Sequence, residues 1–304
     1  MRLLTGRVLG VYLFCCAVWG STWLVIKIGL TDLAPFHFAA IRMAVACLLI
    51  APFAFRPGIV RPSRTENLQI LFCGTIQIGI AYAFIFLAET RIDSGLAAIL
   101  FCTFPIWMGV LGHFLLANEP FTRRNLVAAL LGLAGVAMIE APAVPAALQA
   151  GPGPLLVGGA FVLGSSIAGA LANVLNKRWF AHVAPERNVW GQTLSGTLFL
   201  FLLAVGFERG AHLHWTPRSV FAVSYLAVFG TALAFAGLFW LIPRVPVAVI
   251  GTIPLSDTVI AIALGAAILA ERLSARAIFG TLLILIGVAL AVSPSSERRA
   301  AAAA

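Results

Sequence analysis

Apolar runs of about twenty residues alternate with short polar breaks along the whole chain, and this rhythm predicts ten helices. The runs fall at roughly 8–30, 35–55, 67–88, 93–116, 124–141, 154–178, 187–206, 218–241, 246–269 and 275–293. Each is near the ~20 residues that a helix needs to cross the hydrocarbon of a bilayer. Helix breakers separate them: Thr31-Asp32 with Pro35, Arg56-Pro57-Gly58, Asn118-Glu119-Pro120, and Pro243-Arg244-Val245-Pro246. The longest link runs from Pro142 to Pro154 and is rich in Ala, Pro and Gly. It divides the chain into a first unit of 1–141, a linker of 142–153, a second unit of 154–293 and a tail of 294–304.

The two units repeat one another. Residues 92–140 and 244–292 superpose at an offset of 152 without a gap, placing Glu119 on Glu271, Arg124 on Arg276, and Gly135-Val136-Ala137 on Gly287-Val288-Ala289. A weaker echo at an offset of 151 sets Gly79, Ala81, Ala83 and Phe84 on Gly230, Ala232, Ala234 and Phe235. Five crossings per unit is an odd number, so the second copy must enter the membrane in the opposite sense. An inverted duplication is a common skeleton of alternating-access transporters. Small residues at close spacing (Gly132 and Gly135, Gly109 and Gly112, Gly164 and Ala168) suit close helix packing in lipid.

Composition agrees with the pattern. The 304 residues are 61% hydrophobic and only 10% charged, whereas a soluble domain carries roughly 25% charged residues. The fold expected is therefore an all-α integral membrane protein, ten helices in two inverted five-helix repeats. A net charge of +9 could point to nucleic acid, but the basic residues are scattered through the gaps between runs and form no patch. One side gathers Arg2, Arg7, Arg56, Arg61, Arg64, Arg123, Arg124, Lys177, Arg178, Arg187, Arg244, Arg298 and Arg299; the other has Arg91, Arg209, Arg218, Arg272 and Arg276. That bias of 13 against 5 predicts both termini in the cytoplasm. The first run is longer than a signal-peptide core and is read as a retained helix. Cys15, Cys16, Cys47, Cys73 and Cys102 lie within apolar runs, as packing residues rather than a disulfide or zinc framework. His212 and His214 share a loop, while His37 and His113 stand alone, so no metal site or cofactor is expected.

Trp19-Gly20-Ser21-Thr22, Lys27-Ile28-Gly29-Leu30, Pro35 and Ala39-Ala40-Ile41-Arg42 resemble the opening of an EamA-type transporter, from the ten-helix branch of the drug/metabolite transporter superfamily. Glu119 with Gly132 and Gly135, and Glu271 with Gly280 and Gly287, are similar to that family's Glu-then-Gly segments. The resemblance spans nearly the whole chain. It implies a central cavity walled mainly by the first, third, fourth, sixth, eighth and ninth helices, and export of small metabolites, commonly amino acids.

On those helices, polar or aromatic groups at mid-depth are the candidates for substrate contact: Trp19, Ser21, Thr22, Gln77, Tyr82, Thr103, Trp107, Ser165, Ser166, Asn173, Thr231, Ser256 and Asp257. Asp257 is the acidic residue expected at mid-helix, opposite Pro105 in the first copy. A carboxylate costs about 2.5–3.5 kcal/mol to insert there, so it is either a protonation or amine-binding site, or a group satisfying backbone freed by Pro254. Lys27 and Arg42 are expected to form structural ion pairs with Glu271 or Asp93, and symmetry offers Lys177 with Glu119 as the matching inner pair.

The function expected is export of small metabolites across a bacterial inner membrane, amino acids first and apolar or aromatic ones among them. The partners are a small-molecule substrate, the lipid bilayer and a candidate coupling proton, with no nucleic acid, and the protein acts as a monomer. Sugar phosphates would require several basic residues converging on the cavity. Small cationic drugs, in the related small multidrug exporters, are handled by a carboxylate on the first helix, which this chain lacks. An intramembrane enzyme is disfavoured by the lack of a His-Glu-x-x-His or Gly-x-Ser-x-Gly motif, and a receptor would leave the duplication without a purpose.

Overall fold

The computed structural model describes residues 6–92, 94–117, 119–141, 152–268 and 274–292, and these are helical apart from the turns between helices, with no strand among them. Ten helical segments follow in order. In the first half they are α1 (Arg7–Leu30), α2 (Pro35–Ala54), α3 (Arg64–Glu89), α4 in two pieces (Ser94–Phe101 and Phe104–Leu115) and α5 (Arg123–Glu140). The second half contributes α6 (Pro152–Trp179), α7 (Pro185–Phe207), α8 (Pro217–Leu241), α9 in two pieces (Val247–Gly251 and Ile253–Ile268) and α10 (Ala275–Val292). Among the described residues, seven helices are long and apolar enough to cross a membrane, and shorter apolar helices span Val247–Ile260 and Ala275–Ala291.

Local chemistry sets the ends. Proline opens α2, α7 and α8, where its missing N–H costs no hydrogen bond. Ser63 and Glu66 close a reciprocal cap on α3, Thr122 caps α5, and Thr216 with Ser219 caps α8. The start of α2 is capped from afar: the Glu208 carboxylate accepts from the Phe36 and His37 amides at 2.8 and 2.9 Å and contacts the His37 ring at 2.7 Å. His37, expected to stand alone, therefore has a partner.

Two irregularities recur in both halves. A π-helical turn interrupts α3 at Thr75–Ile80 and α8 at Val228–Leu233. The turns are offset by 153 residues rather than the 151 of the sequence echo, so that echo is out of structural register by two positions. The fourth and ninth helices, expected to be continuous, are broken at Cys102-Thr103 and at Thr252. Pro105 and Pro254 follow these breaks within three residues; each lacks the N–H that would continue the ladder.

The helices pair as a two-fold exchange of halves requires. α1 packs on α8 and α9, and correspondingly α6 packs on α3 and α4; α2 meets α7, and α5 meets α10. The α5–α10 crossing is set by glycine: a Cβ on Gly135 would stand 2.5 Å from the Gly280 carbonyl oxygen, and one on Gly280 2.6 Å from that of Gly135. In lipid such close backbone approach drives association, because apolar side chains gain nothing by leaving hydrocarbon. The outer surface is correspondingly greasy, with Leu48, Phe114, Leu202 and Phe207 all exposed. All five cysteines are buried in the packing.

Candidate functional site

A cavity of about 130 Å³ lies between the halves, walled by α1, α3, α4, α6, α8 and α9. At roughly 10–15 Å³ per water-sized unit, that space suits a solute of about ten non-hydrogen atoms. Its depth follows from helix geometry. Asp257 is ten residues beyond the start of α9, or about 15 Å at 1.5 Å per residue. That places it near the middle of a hydrocarbon core about 30 Å thick.

The wall is mostly apolar. α1 supplies Trp19, Thr22, Trp23 and Ile26. Trp19 is held by a 3.2 Å bond from its indole N–H to the Gly230 carbonyl in the π turn of α8, and its ring meets Phe235 edge-on at 5.6 Å. Gln77, in the π turn of α3, and Tyr82 one turn later reach the same space. π turns are frequent where a helix must turn a side chain toward a functional site. The Tyr82 ring is backed by the Arg42 guanidinium at 5.0 Å.

The polar groups are few. The Thr22 hydroxyl donates to the Trp19 carbonyl at 2.8 Å and the Ser165 hydroxyl to that of Ala81 at 2.8 Å, leaving only lone pairs for a solute. The Asn173 amide nitrogen donates to the Gly169 carbonyl at 2.9 Å, while its oxygen, like that of Gln77, is buried out of reach of a water-sized solute. Neither the Asn173 nor the Gln77 side-chain oxygen has a protein partner. Asp257, 6% exposed, accepts from the Thr258 hydroxyl at 3.4 Å and from the Thr258 backbone, and no basic side chain pairs with it among the described residues.

The structure thus brings Trp19, Thr22, Gln77, Tyr82, Ser165, Asn173 and Asp257 into one cavity. The other sequence candidates lie outside its wall, each held by a local bond. Ser21 pairs with the Tyr225 hydroxyl at 2.7 Å, and Ser256 with the Tyr12 hydroxyl at 2.6 Å. Trp107 donates to Thr103 at 3.3 Å, and Thr103 lies 3.3 Å from fully buried Ser166. Thr231 accepts from Arg42 at 2.9 Å behind the wall. Sequence reasoning missed Trp23, Phe101, Phe104, Phe235, Leu238, Ile250 and Ile253. When lipid-facing and cavity-facing positions are both apolar, periodicity carries no signal that separates them.

The charge framework also differs from expectation. Lys177 pairs with Glu119 at 2.5 Å, and the other Glu119 oxygen accepts the Val247 amide at 2.7 Å, joining α6 to the start of α9. Lys27 and Arg42 instead converge on Glu89, at the last turn of α3. Lys27 donates to its carbonyl oxygen at 3.0 Å, and both cations lie near enough for its carboxylate to feel their charge. Glu89 is 2% exposed, although it lies one position beyond the expected apolar run of 67–88. The partners expected from sequence, Asp93 and Glu271, lie outside the described residues.

Comparison with known proteins is consistent across the chain. The profile of the EamA-like transporter family matches twice, over residues 8–141 and 156–293. The chain is 25% identical to the uncharacterized transporter YoaV of Bacillus subtilis over 93% of its own length and 95% of that protein's. It is 26% identical to the uncharacterized inner membrane transporter YedA of Escherichia coli, covering 84% and 81% of the two chains. A probable amino-acid metabolite efflux pump of Salmonella typhimurium is 27% identical over 95% of this chain and 96% of the pump. A protein of known crystal structure shares the fold, with a TM-score of 0.77 at 17% identity over 94% of this chain and 97% of that one. Two copies of one family profile, ten apolar helical segments paired as exchanged halves and a cavity between them lead to one conclusion: this chain is a multi-pass membrane transporter belonging to the EamA-like transporter family.

Proposed function

We propose that the protein exports small amine-bearing metabolites, amino acids first, across a bacterial inner membrane. Both termini are cytoplasmic, and the units 1–141 and 154–293 rock about the cavity as a monomer. The observation that carries this reading is the chemistry of the wall. The carboxylate of Asp257 offers hydrogen-bond acceptance to an ammonium group, beside the amide side chains of Gln77 and Asn173 in the same wall. Trp19, Trp23, Tyr82 and Phe235 offer apolar surface to the rest of the solute. A sugar phosphate finds no basic side chain in the wall. The amino-acid efflux pump among the relatives supports the same substrate class.

Transport of a panel of amino acids into proteoliposomes, with and without a proton gradient, tests the reading. Uptake or counterflow of at least one amino acid is expected; transport of none, with an unrelated solute carried instead, refutes it. Asp257 is the proposed proton-linked group. Asp257→Asn should remove the pH dependence of transport, and an unchanged pH profile returns Asp257 to a purely structural role.

A further inference from the structure

A second polar pocket, of about 180 Å³, lies at the end of α2 remote from the cavity. The segment after α2 turns through Pro57-Gly58, where Gly58 adopts a φ of +89° with open space around it. This turn and the start of α7 gather Arg56, Arg61 and Arg187 around one concavity. The Arg187 guanidinium carbon lies over the Phe55 ring, 4.2 Å from its centroid, and 5.9 Å from that of Trp190. Its Nη1 is buried without a hydrogen-bond partner. Arg56 is partly neutralised by Glu186 at 3.2 Å. Three guanidinium groups therefore line one pocket with a single carboxylate beside it, an excess of two positive charges.

We propose that this pocket binds a phosphate group at the membrane surface. The planar fork of arginine matches phosphate geometry, and a stacked, pre-oriented guanidinium loses little freedom on binding it. Half-exposed Phe55 lines the same pocket, as an apolar neighbour for an acyl chain. Basic pockets between helices at this level suit anionic headgroups. The phosphate can come from an anionic phospholipid or from free phosphate in solution, and one experiment separates them.

Wild-type protein in neutral detergent is titrated with short-chain phosphatidylglycerol, with phosphatidylcholine of the same chain length, and with sodium phosphate against sodium chloride at matched ionic strength. Binding is followed by the thermal-unfolding midpoint. Saturable stabilisation by phosphatidylglycerol alone assigns the site to lipid; stabilisation by sodium phosphate as well assigns it to any accessible phosphate. In either case affinity should fall about fivefold for each arginine lost in Arg56→Gln, Arg61→Gln and the double variant. Both side chains are exposed, so these variants should fold. Arg123→Gln, on the same side of the charge pattern, should leave binding unchanged. No response to either phosphate source, an undiminished response in the double variant, or an equal loss in Arg123→Gln would overturn the proposal.

Discussion

Gly20 is the residue where scaffold and site meet most tightly, and Gly20→Ala tests the packing argument directly. A Cβ at this position would stand 2.7 Å from the Asp257 carbonyl oxygen and 3.3 Å from the Asp257 Cβ. Ordinary contact begins near ~3.5 Å, so α1 and α9 would have to separate by roughly 0.8 Å. The obstacle is backbone, which cannot rotate away as a side chain would. Overpacking of this kind costs about 1–3 kcal/mol, offset by about 0.5–1 kcal/mol for removing a mid-helix glycine. The net expectation is a loss of about 0.5–2 kcal/mol together with slower transport, because the same shift carries Asp257 away from the opposite wall. Gly10 provides the control in the same helix, since a Cβ there meets nothing within 4 Å. Chemical unfolding in detergent, followed by tryptophan fluorescence, should rank Gly10→Ala at or above wild type and Gly20→Ala below it. If Gly20→Ala is as stable as Gly10→Ala and transports normally, the proposed closeness of α1 and α9 is wrong.

The inner ion pair and the outer loop give two further predictions. Glu119→Gln keeps an acceptor for the Val247 amide but leaves Lys177, whose side chain is only 18% exposed, without its counter-charge and held by the Val245 carbonyl. Removing one partner of a fully buried pair costs about 3–5 kcal/mol; this half-screened pair should cost roughly 2–3 kcal/mol. The double variant with Lys177→Met should recover part of that loss, whereas strictly additive losses in the unfolding cycle would show that the two residues do not interact. Asp32, in the loop between α1 and α2, is held below the usual carboxylate range by the hydroxyl bond from Thr216 and then by Arg218. Its lowered value means the protonated form is disfavoured in the fold, so its contribution to stability is complete above the ordinary carboxylate pKa of about 3.9 and disappears as pH falls below it. The stability gap between wild type and Asp32→Asn should accordingly be constant from neutral pH down to mildly acidic pH and close in acid. A gap independent of pH would contradict the assignment.

Much of the architecture was legible in sequence because the bilayer makes length and hydropathy sufficient. Expected runs such as 218–241 and 275–293 lie within a residue of α8 and α10. The pairing of Lys177 with Glu119 was legible too, since symmetry and charge both pointed to it. The breaks in α4 and α9 carried a signal in Pro105 and Pro254, but hydropathy runs straight through a helix break. The π turns have no compositional mark at all. Glu89 shows a different failure: burial at the edge of an apolar run depends on which helix packs over it, here α1 and α2 bringing Lys27 and Arg42. Half the candidate polar set lies outside the cavity because Ser, Thr and Trp in a membrane helix can satisfy themselves on a nearby carbonyl or hydroxyl, as Ser21 and Trp107 do.

The two halves exchange cleanly as a scaffold but not as a lining. The offset of 150 that carries Lys27 onto Lys177 carries Trp19 onto Gly169 and Trp23 onto Asn173, and all four line the cavity. Bulky aromatic groups on α1 thus face small and acceptor groups on α6, and the ninth helix adds Asp257 to the acceptor side. On the proposed function, an amino acid would place its ammonium toward Asp257 on α9 and Asn173 on α6, and its side chain toward Trp19 and Trp23 on α1. The two walls should then fail differently. Asn173→Leu removes an amide whose oxygen must turn into the cavity to accept from a substrate ammonium, and loss of a hydrogen bond to a charged group costs about 1.5–3 kcal/mol, or roughly ten- to a hundredfold in apparent affinity. The penalty should be similar for small and large amino acids. Trp23→Leu enlarges the apolar side instead, so it should alter the ranking of substrates by side-chain size while leaving the smallest nearly unaffected. Competition against one labelled substrate in proteoliposomes reads both effects. If Asn173→Leu reorders substrates by size, or Trp23→Leu weakens all of them equally, the division of labour between the two halves is not as the lining suggests.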